Sequence, residues 1–348
     1  MKCYRNIFTQ IVSIENLFAA WDEFRTGKMS KYDVQMFAQT VETQLFDLYR
    51  DLVAGTYRHG AYFAFQITDP KQRLIHKALV RDRIVHHALF SILNPIFEPT
   101  FIANSFSCRV GKGTHKGVAT VEQMLRSVSR NNTRPCYVLK CDISKFFASV
   151  DHVILLRLIS RRLHDERTLV LLREIIGSFH SDFSTTFGWK GLPLGNLTSQ
   201  LFANIYMNEF DQFIKHGLCI KNYARYTDDF VIVSDDREYL ENLIPELQNF
   251  LTQYLELRLH PAKTFIRKYS QGIDFLGYVI FPNHRLLRTK TKHRIMTRFD
   301  DRLLEYSHGL ISNQQLVQIA QSYLGVLSHA NMYDSEVDIK NALWFERG

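Results

Sequence analysis

Apolar residues along the chain follow two periods, one typical of helices and one typical of strands. In residues 14–56 they recur at helical intervals: Ile14, Leu17, Phe18 and Trp21, then Phe37, Val41, Leu45 and Leu48. The same reasoning predicts further helices at 81–97, 114–128, 151 onward, 166–176, 197–215, 237–254, 291–308, 313–327 and 337–345. Runs of β-branched and aromatic residues predict strands at 62–67, 137–141 and 275–280, a hairpin at 223–233 and a short strand near Phe265. This order predicts an α+β fold, with a small antiparallel sheet flanked by helices and followed by a helical C-terminal segment.

The length and composition are those of a globular protein. With 348 residues, of which 46% are hydrophobic and 22% charged, the chain is expected to form two or three lobes. Its 43 Lys and Arg against 35 Asp and Glu give a net charge of +8, which favours a polyanionic partner without establishing one. The five cysteines are scattered, and no stretch approaches roughly 18 apolar residues or resembles a signal peptide. We therefore expect a cytoplasmic protein in a reducing environment, with no membrane partner.

Two adjacent carboxylates stand at the centre of the predicted hairpin. Asp228 and Asp229 follow Tyr226-Thr227 and precede the apolar run 230–233, so they are expected at the tip of a strand-turn-strand unit. Neighbouring carboxylates repel each other, and a divalent cation that neutralises them makes the arrangement favourable. Because Mg²⁺ binds oxygen ligands and often substrate phosphates, the pair suggests phosphoryl or nucleotidyl transfer. The alternative is a solvated, Asp-rich turn.

A third carboxylate, Asp142, ends the apolar run 137–141. If this strand lies beside the hairpin, three carboxylates could hold two Mg²⁺ ions about 3.5–4 Å apart. In the alternative interpretation, Asp142 caps the turn that follows it.

Seven segments, taken in order, resemble the core motifs of reverse transcriptases. They are Arg73-Leu74-Ile75, residues 81–89, Asp142 with Phe147 five positions later, residues 192–200, Tyr226-Thr227-Asp228-Asp229, residues 259–264 and Phe275-Leu276-Gly277-Tyr278. The resemblance runs from about residue 15 to the C-terminus. It implies a right-hand polymerase with a helical N-terminal extension (1–60), fingers (61–135), a palm (136–282, with a fingers segment at about 160–190) and a helical thumb (283–348). The implied activity is RNA-directed DNA synthesis from dNTPs, an RNA template and a primer.

The resemblance also implies roles for individual residues. Asp142, Asp228, Asp229 and the backbone carbonyl of Ile143 correspond to ligands of two Mg²⁺ ions, for which Mn²⁺ can substitute. Lys263 corresponds to a catalytic lysine that donates a proton to pyrophosphate. The residues implied to bind the nucleotide are Arg73 on the triphosphate, Phe147 as the ring that excludes a ribose 2′-hydroxyl, and Leu194, Gly195 and Gln200. The residues implied to bind nucleic acid are Arg81, Arg83, Arg109, Lys112, His115, Gly277, Tyr278, Lys290, Arg294 and Arg298.

Several of these assignments have structural alternatives. Phe147 can be an ordinary core residue, and Lys263 a surface lysine. Arg81 or Arg83 can instead pair with Asp82 or a helix neighbour. The basic residues of 285–302 can form a solvated face rather than a nucleic-acid contact.

Leu194 departs from the pattern of most reverse transcriptases, which carry Gln there. The variant is similar to that of diversity-generating retroelement enzymes, which implies low-fidelity copying of a template RNA, because a lost hydrogen bond weakens discrimination. Two alternatives stay open: an antiviral-defence enzyme that works with a structured non-coding RNA, and a catalytically silent RNA-binding module. A structured RNA or a small helical accessory protein is the expected further partner.

Overall fold

The computed structural model describes residues 2–69, 72–185 and 188–345. Its helices are α1 (Phe8–Val12), α2 (Ile14–Arg25), α3 (Tyr32–Gln39), α4 (Val41–Ala54), α5 (Val80–Phe97), α6 (Thr114–Val128), α7 (Phe146–Ser149), α8 (His152–Ser160), α9 (Glu166–Gly177), α10 (Leu197–Gln212), α11 (Arg237–Leu255), α12 (Thr289–Ser307), α13 (Asn313–Leu327) and α14 (Tyr333–Phe345). Its strands are β1 (Phe63–Ile67), β2 (Arg73–Lys77), β3 (Tyr137–Asp142), β4 (Tyr223–Tyr226), β5 (Asp229–Ser234), β6 (Phe265–Lys268), β7 (Ile273–Phe275), β8 (Tyr278–Ile280) and β9 (Arg285–Leu287).

The chain divides into two compact units that are each discontinuous in sequence. Unit 1 comprises Met1–Ala103, Asp142–Lys221 and Pro245–Pro261, and unit 2 comprises Asn104–Cys141, Asn222–Ile244 and Ala262–Gly348. The mixture of helices and antiparallel strand pairs confirms the predicted α+β class. Within the described ranges, no helix combines the length and the apolar character needed to cross a membrane.

Unit 1 is a helical unit with one two-stranded ribbon. Helix α5 packs against both α2 and α10, and its buried face includes Ile84, Leu89 and Leu93. Side-chain caps set the starts of two helices: Ser13 accepts from the Asn16 amide before α2, and Asp165 accepts from the Thr168 amide before α9. Strands β1 and β2 pair antiparallel, and most of β1 is exposed. The ribbon therefore adds little to the core, whereas the helices bury most of the apolar side chains.

Unit 2 contains the larger sheets. The strand order is β4-β5-β3-β6 in one sheet and β7-β8-β9 in the other. Helix α6 packs against β4 and β5, and it contributes Val118, Val121 and Leu125 to a core shared with both sheets. Helices α12, α13 and α14 pack in sequence on one another and bury Phe299 and Ala320 in the same core. The four-stranded sheet, which contains the predicted hairpin, is consequently packed against an apolar core.

Most helices begin and end within a few residues of their predicted limits, but three elements differ from expectation. The predicted strand 275–280 is two strands, because Leu276 and Gly277 both have positive φ (50° and 89°) and turn the chain. Strands β2 and β9 were not predicted as strands. On α12, Ile295 and Phe299 are buried, whereas Leu304 is 59% exposed.

Candidate active site

The two adjacent aspartates occupy a tight turn between β4 and β5. Tyr226 pairs with Asp229, so Thr227 and Asp228 form a two-residue connection. Thr227 has φ of 57°, which is uncommon for a β-branched residue and supplies the positive φ that short hairpin turns require. Asp228 is therefore held at the tip of the hairpin, with Asp229 beside it as the first residue of β5. The predicted hairpin is confirmed.

Asp142 is the last residue of β3, and β3 is hydrogen-bonded to β5 in the sheet. Beyond this position the chain continues in unit 1, where the Asp142 carbonyl accepts a hydrogen bond from the His260 amide at 2.8 Å. The next residue, Ile143, forms a bridge with Leu259 and is buried. Asp142 thus ends a central strand, as the sequence indicated. Its convergence with Asp228 and Asp229 on metal ions stays a prediction.

Lys140 provides a positive charge next to the carboxylate of Asp229. Its Nζ lies 3.5 Å from Asp229 Oδ2 and donates to the Asp274 carbonyl oxygen at 2.8 Å, and both charged side chains are largely buried. In the described part of the chain, no group of three or more His, Cys, Asp or Glu side chains is arranged to hold a metal ion. The residues nevertheless fit a hard cation, because they offer carboxylate oxygens and one of them already lies beside a cationic group. The ammonium partly offsets the negative charge of the turn.

The residues predicted to bind a nucleotide all belong to unit 1, and backbone hydrogen bonds link several of them. Strand β2 begins at Arg73, and its His76 amide donates to the Leu194 carbonyl at 2.9 Å. The Asn196 side chain donates in return to the His76 carbonyl at 3.3 Å. The loop before α10 is therefore fixed to the strand that carries Arg73. Leu194 is half-buried, which leaves part of its side chain accessible.

Phe147 and Gly195 border the same loop. The Phe147 carbonyl accepts from the Leu192 amide at 2.7 Å, so the predicted 2′-hydroxyl barrier is attached to the loop through its backbone. Gly195 has φ of 111°, and a Cβ there would meet Ile75 Cγ2 at 2.9 Å. Only glycine satisfies both conditions without displacing β2. Gln200 is exposed on the first turn of α10.

A buried chain of polar side chains lies behind this loop, and sequence reasoning missed it. His86 Nδ1 lies 2.7 Å from Thr198 Oγ1, and His86 Nε2 lies 3.2 Å from His59 Nε2. His59 Nδ1 lies 2.7 Å from the carbonyl oxygen of Gly60, which can only accept. With both rings neutral, Thr198 therefore donates to His86, His86 donates to His59, and His59 donates to Gly60. The chain joins α5 to the first turn of α10.

The fully buried position of His86 suppresses its protonation. Burial, reinforced by the neighbouring His59, His87 and Arg83, lowers the pKa of His86 to about 3. Nearby, burial raises the pKa of Tyr62 to about 12, and the Tyr62 hydroxyl lies 2.8 Å from Ser178 Oγ. The His86 imidazole and the Tyr62 hydroxyl are therefore both neutral over the physiological range.

Two of the arginines predicted to bind nucleic acid are instead engaged in ion pairs within unit 1. Arg81 pairs with Asp51 on α4, and Arg83 pairs with Asp33 on α3 at 2.6 Å. Lys77 pairs with Asp33 as well, at 2.7 Å, and these partners lower the pKa of Asp33 against the opposing effect of its burial, which is the largest contribution. Ion pairing is what the structural alternative anticipated, although the partners lie on α3 and α4 and not on α5, and the nucleic-acid role stays a prediction.

The remaining predicted nucleic-acid contacts lie in unit 2 in varied surroundings. Arg109 donates to the Ser105 carbonyl at 2.8 Å, and Lys112 lies over the Phe106 ring. His115 stacks on His329 with ring centroids 3.7 Å apart. Tyr278 is buried, with its hydroxyl 3.3 Å from His115 Nδ1, so little of its ring is accessible to a ligand.

Positive charges on α12 and after α11 are more accessible. Lys290 and Arg298 are exposed, Arg294 is half-buried, and Lys263 is exposed in the short turn Pro261–Lys263. Gly277 lies in the turn between β7 and β8 described above.

Comparison with known proteins identifies a matching family model and several relatives. The family model described as "Reverse transcriptase (RNA-dependent DNA polymerase)" matches residues 68–280. Protein YkfC of Escherichia coli (strain K12) is 30% identical over 247 residues, which cover 62% of this chain and 63% of that protein. The group II intron-encoded protein LtrA of Lactococcus lactis subsp. cremoris is 24% identical over 262 residues, which cover 57% of this chain and 43% of LtrA. The chain therefore spans less than two thirds of the length of these curated relatives.

Proposed function

The chain belongs to the reverse transcriptase family, and on this basis we propose that it is an RNA-directed DNA polymerase that extends a primer with dNTPs. The single observation that carries the proposal is the tight turn that presents Asp228 and Asp229 next to the strand ending in Asp142. A silent RNA-binding module would gain nothing from clustered carboxylates, whose mutual repulsion is unfavourable without a cation.

In this proposal, Asp142, Asp228, Asp229 and the Ile143 carbonyl hold two divalent cations. When bound, Mg²⁺ ions at such a site activate a hydroxyl nucleophile and neutralise charge on a triphosphate, and Mn²⁺ can substitute. Arg73 binds the triphosphate, since a guanidinium donates two hydrogen bonds to phosphate oxygens. Phe147 excludes a ribose 2′-hydroxyl by contact, and Lys263 gives a proton to the pyrophosphate oxygen as it leaves.

We assign the fold elements accordingly. The β1–β2 ribbon and α5 belong to the fingers (61–135), the four-stranded sheet to the palm (136–282) and helices α12–α14 to the thumb (283–348). The exposed Lys290 and Arg298 on α12 then bind backbone phosphates of the primer–template duplex. In the described part of the chain no two cysteines form a disulfide, which supports a reducing compartment such as the cytoplasm.

Primer extension on an RNA template tests the activity. We expect the wild type to incorporate dNTPs in Mg²⁺, and Asp228→Ala to lose at least about a thousandfold in rate, because the variant lacks a proposed ligand of the catalytic metal ions. Asp235→Asn, an exposed acid one residue beyond β5, is the matched control and should retain activity. Wild-type protein that extends no better than Asp228→Ala would refute the polymerase proposal.

The biological role that we propose is low-fidelity copying in a diversity-generating retroelement, with a structured RNA or a small accessory protein as partner. Leu194 supports it, because an aliphatic side chain cannot hydrogen-bond the incoming nucleotide, and a lost hydrogen bond corresponds to roughly a two- to thirteenfold loss of discrimination. Sequencing of cDNA made by the wild type and by Leu194→Gln measures the effect. We expect Leu194→Gln to make fewer errors, and equal error spectra would contradict the proposed role of Leu194 in low fidelity. The defence role predicts instead dependence on one co-purifying non-coding RNA.

A further inference from the structure

We propose that Ser105, Ser107 and Arg225 hold the Asp228–Asp229 turn in a metal-binding conformation through Thr227. These four residues, Ser105, Ser107, Arg225 and Thr227, are called the turn cluster below. They are positioning residues, and the inference rests on the proposed function because it concerns the same carboxylates.

Thr227 needs external support to keep its conformation. Its φ of 57° places a β-branched side chain in the left-handed region, where most residues other than Gly and Asn are strained. Such a conformation persists only where the surroundings impose it. Two hydrogen bonds provide this constraint. The Thr227 carbonyl accepts from Arg225 Nη1 at 2.9 Å, and the Thr227 hydroxyl donates to Ser107 Oγ at 2.6 Å.

Arg225 is held in place by hydrogen bonds of both its side chain and its backbone. Its side chain is completely buried, and its Nη2 donates to Ser105 Oγ at 3.1 Å. Its backbone is held as well, since its amide donates to the Asn104 carbonyl and its carbonyl accepts from the Phe106 amide, both at 3.0 Å. A buried guanidinium is tolerated only when hydrogen bonds satisfy it. The segment 104–107 is therefore tied to β4 at both backbone and side-chain level.

Thr227 of the cluster immediately precedes the two carboxylates in sequence. Because Thr227 and Asp228 are the whole connection between β4 and β5, a rotation at Thr227 moves Asp228 directly. The hydroxyl bond to Ser107 opposes this rotation. Asp229, the next residue, is also restrained by Lys140, whose Nζ lies 3.5 Å from its Oδ2.

The cluster also continues into the loop that carries Arg109 and Lys112, two of the residues predicted to bind nucleic acid. Arg109 donates to the Ser105 carbonyl at 2.8 Å, and the Gly113 amide donates to the Phe106 carbonyl at 3.0 Å. The segment that supports the turn is thus the same one that supports the loop predicted to contact template phosphates.

Mn²⁺ binding measured by electron paramagnetic resonance tests the cluster without any need for activity. Thr227→Val keeps the branched shape and removes the hydroxyl, whereas Thr227→Ser keeps the hydroxyl. We expect Thr227→Val to weaken Mn²⁺ binding about two- to thirteenfold, the range that corresponds to one lost hydrogen bond, and Thr227→Ser to bind within about twofold of the wild type. Ser107→Ala removes the same bond from the other side and should match Thr227→Val, and the double variant should be no weaker than either single variant.

Primer extension then separates this role from a general loss of structure. The half-saturating Mg²⁺ concentration should rise by the same factor in Thr227→Val, while KM for dNTP at saturating Mg²⁺ and the melting temperature stay near wild type. Wild-type Mn²⁺ affinity in both Thr227→Val and Ser107→Ala would overturn the inference and leave the polymerase proposal intact. If the wild type binds Mn²⁺ no more tightly than Asp228→Ala, the proposed metal site itself fails.

Discussion

His86 should make unit 1 sensitive to acid. The imidazole is buried on α5 between Thr198 and His59, and burial lowers its pKa to about 3. An unfolded histidine has a pKa near 6.5. Below pH 6.5 the unfolded chain therefore binds a proton at His86, whereas the native state binds this proton only at about pH 3. The stability associated with this group is complete above pH 6.5 and is lost as the pH falls.

The magnitude follows from the two pKa values. Between pH 6.5 and 3 the free energy of unfolding falls by up to about 1.4 kcal/mol per pH unit for one such group. From pH 7.0 to 5.5 the integrated loss is about 1.3 kcal/mol. His86→Gln removes the titratable imidazole and keeps the hydrogen bonds, since the amide oxygen can accept from Thr198 and the amide nitrogen can donate to His59. The variant should therefore lose about 1.3 kcal/mol less than the wild type over this interval.

Urea unfolding at the two pH values measures the difference. Trp21 and Trp189 both belong to unit 1, so tryptophan fluorescence in a Trp344→Phe background follows that unit. His308→Gln, at the exposed end of α12, is the matched control and should keep the wild-type response. If the free energy of unfolding falls by the same amount in His86→Gln and in the wild type between pH 7.0 and 5.5, the inference that His86 is neutral in the native state is wrong.

Three further predictions concern the nucleotide loop and the carboxylates. Gly195→Ala should raise KM for dNTP several-fold and lower the melting temperature, because the new Cβ would meet Ile75 at 2.9 Å; Gly27→Ala, with positive φ but open space around it, is the control in steady-state kinetics. Phe147→Ala should raise the ratio of kcat/KM for rNTPs to that for dNTPs by about tenfold or more, and an unchanged ratio would contradict its role as the 2′-hydroxyl barrier. Lys140→Met should lower the melting temperature in EDTA and increase the gain on addition of Mg²⁺, since Asp229 loses its neighbouring ammonium; equal gains in scanning fluorimetry would show that Lys140 does not offset this charge.

Local patterns predicted local structure well. Helix α9 and the β4–β5 hairpin follow directly from apolar spacing and turn chemistry, and so does the placement of Asp142 at a strand end. Strand β2 was missed because its residues are exposed or only half-buried and mostly basic, which removes the alternation that marks a strand with one buried face. The pairing that creates it, with β1, is a tertiary contact that its own residues do not encode.

The polar networks that support the candidate site could not be predicted from the sequence pattern. Thr198 and His86 are 112 residues apart, and Arg225 and Ser105 are 120 residues apart. Each residue alone resembles an ordinary polar position in a helix or strand. The same reason explains Arg83, which the motif suggested for nucleic acid and which pairs with Asp33, 50 residues away. Motifs identify residues that bind ligands, whereas the partners that orient them become visible only in three dimensions.

The distinction between residues that bind ligands and residues that orient them also applies to the proposed low fidelity. The Leu194 carbonyl accepts from His76, the Asn196 side chain donates back to the same residue, and His86 supports the first turn of α10 through Thr198. The backbone around Leu194 is thus restrained from both sides, and buried polar networks of this kind fix geometry more than they add stability. Frequent misincorporation would then originate in the missing hydrogen-bonding group of the Leu194 side chain, and not in a loose nucleotide pocket. A pocket that is rigid but lacks one polar contact still binds dNTPs in a defined position, and it discriminates less between correct and incorrect pairs.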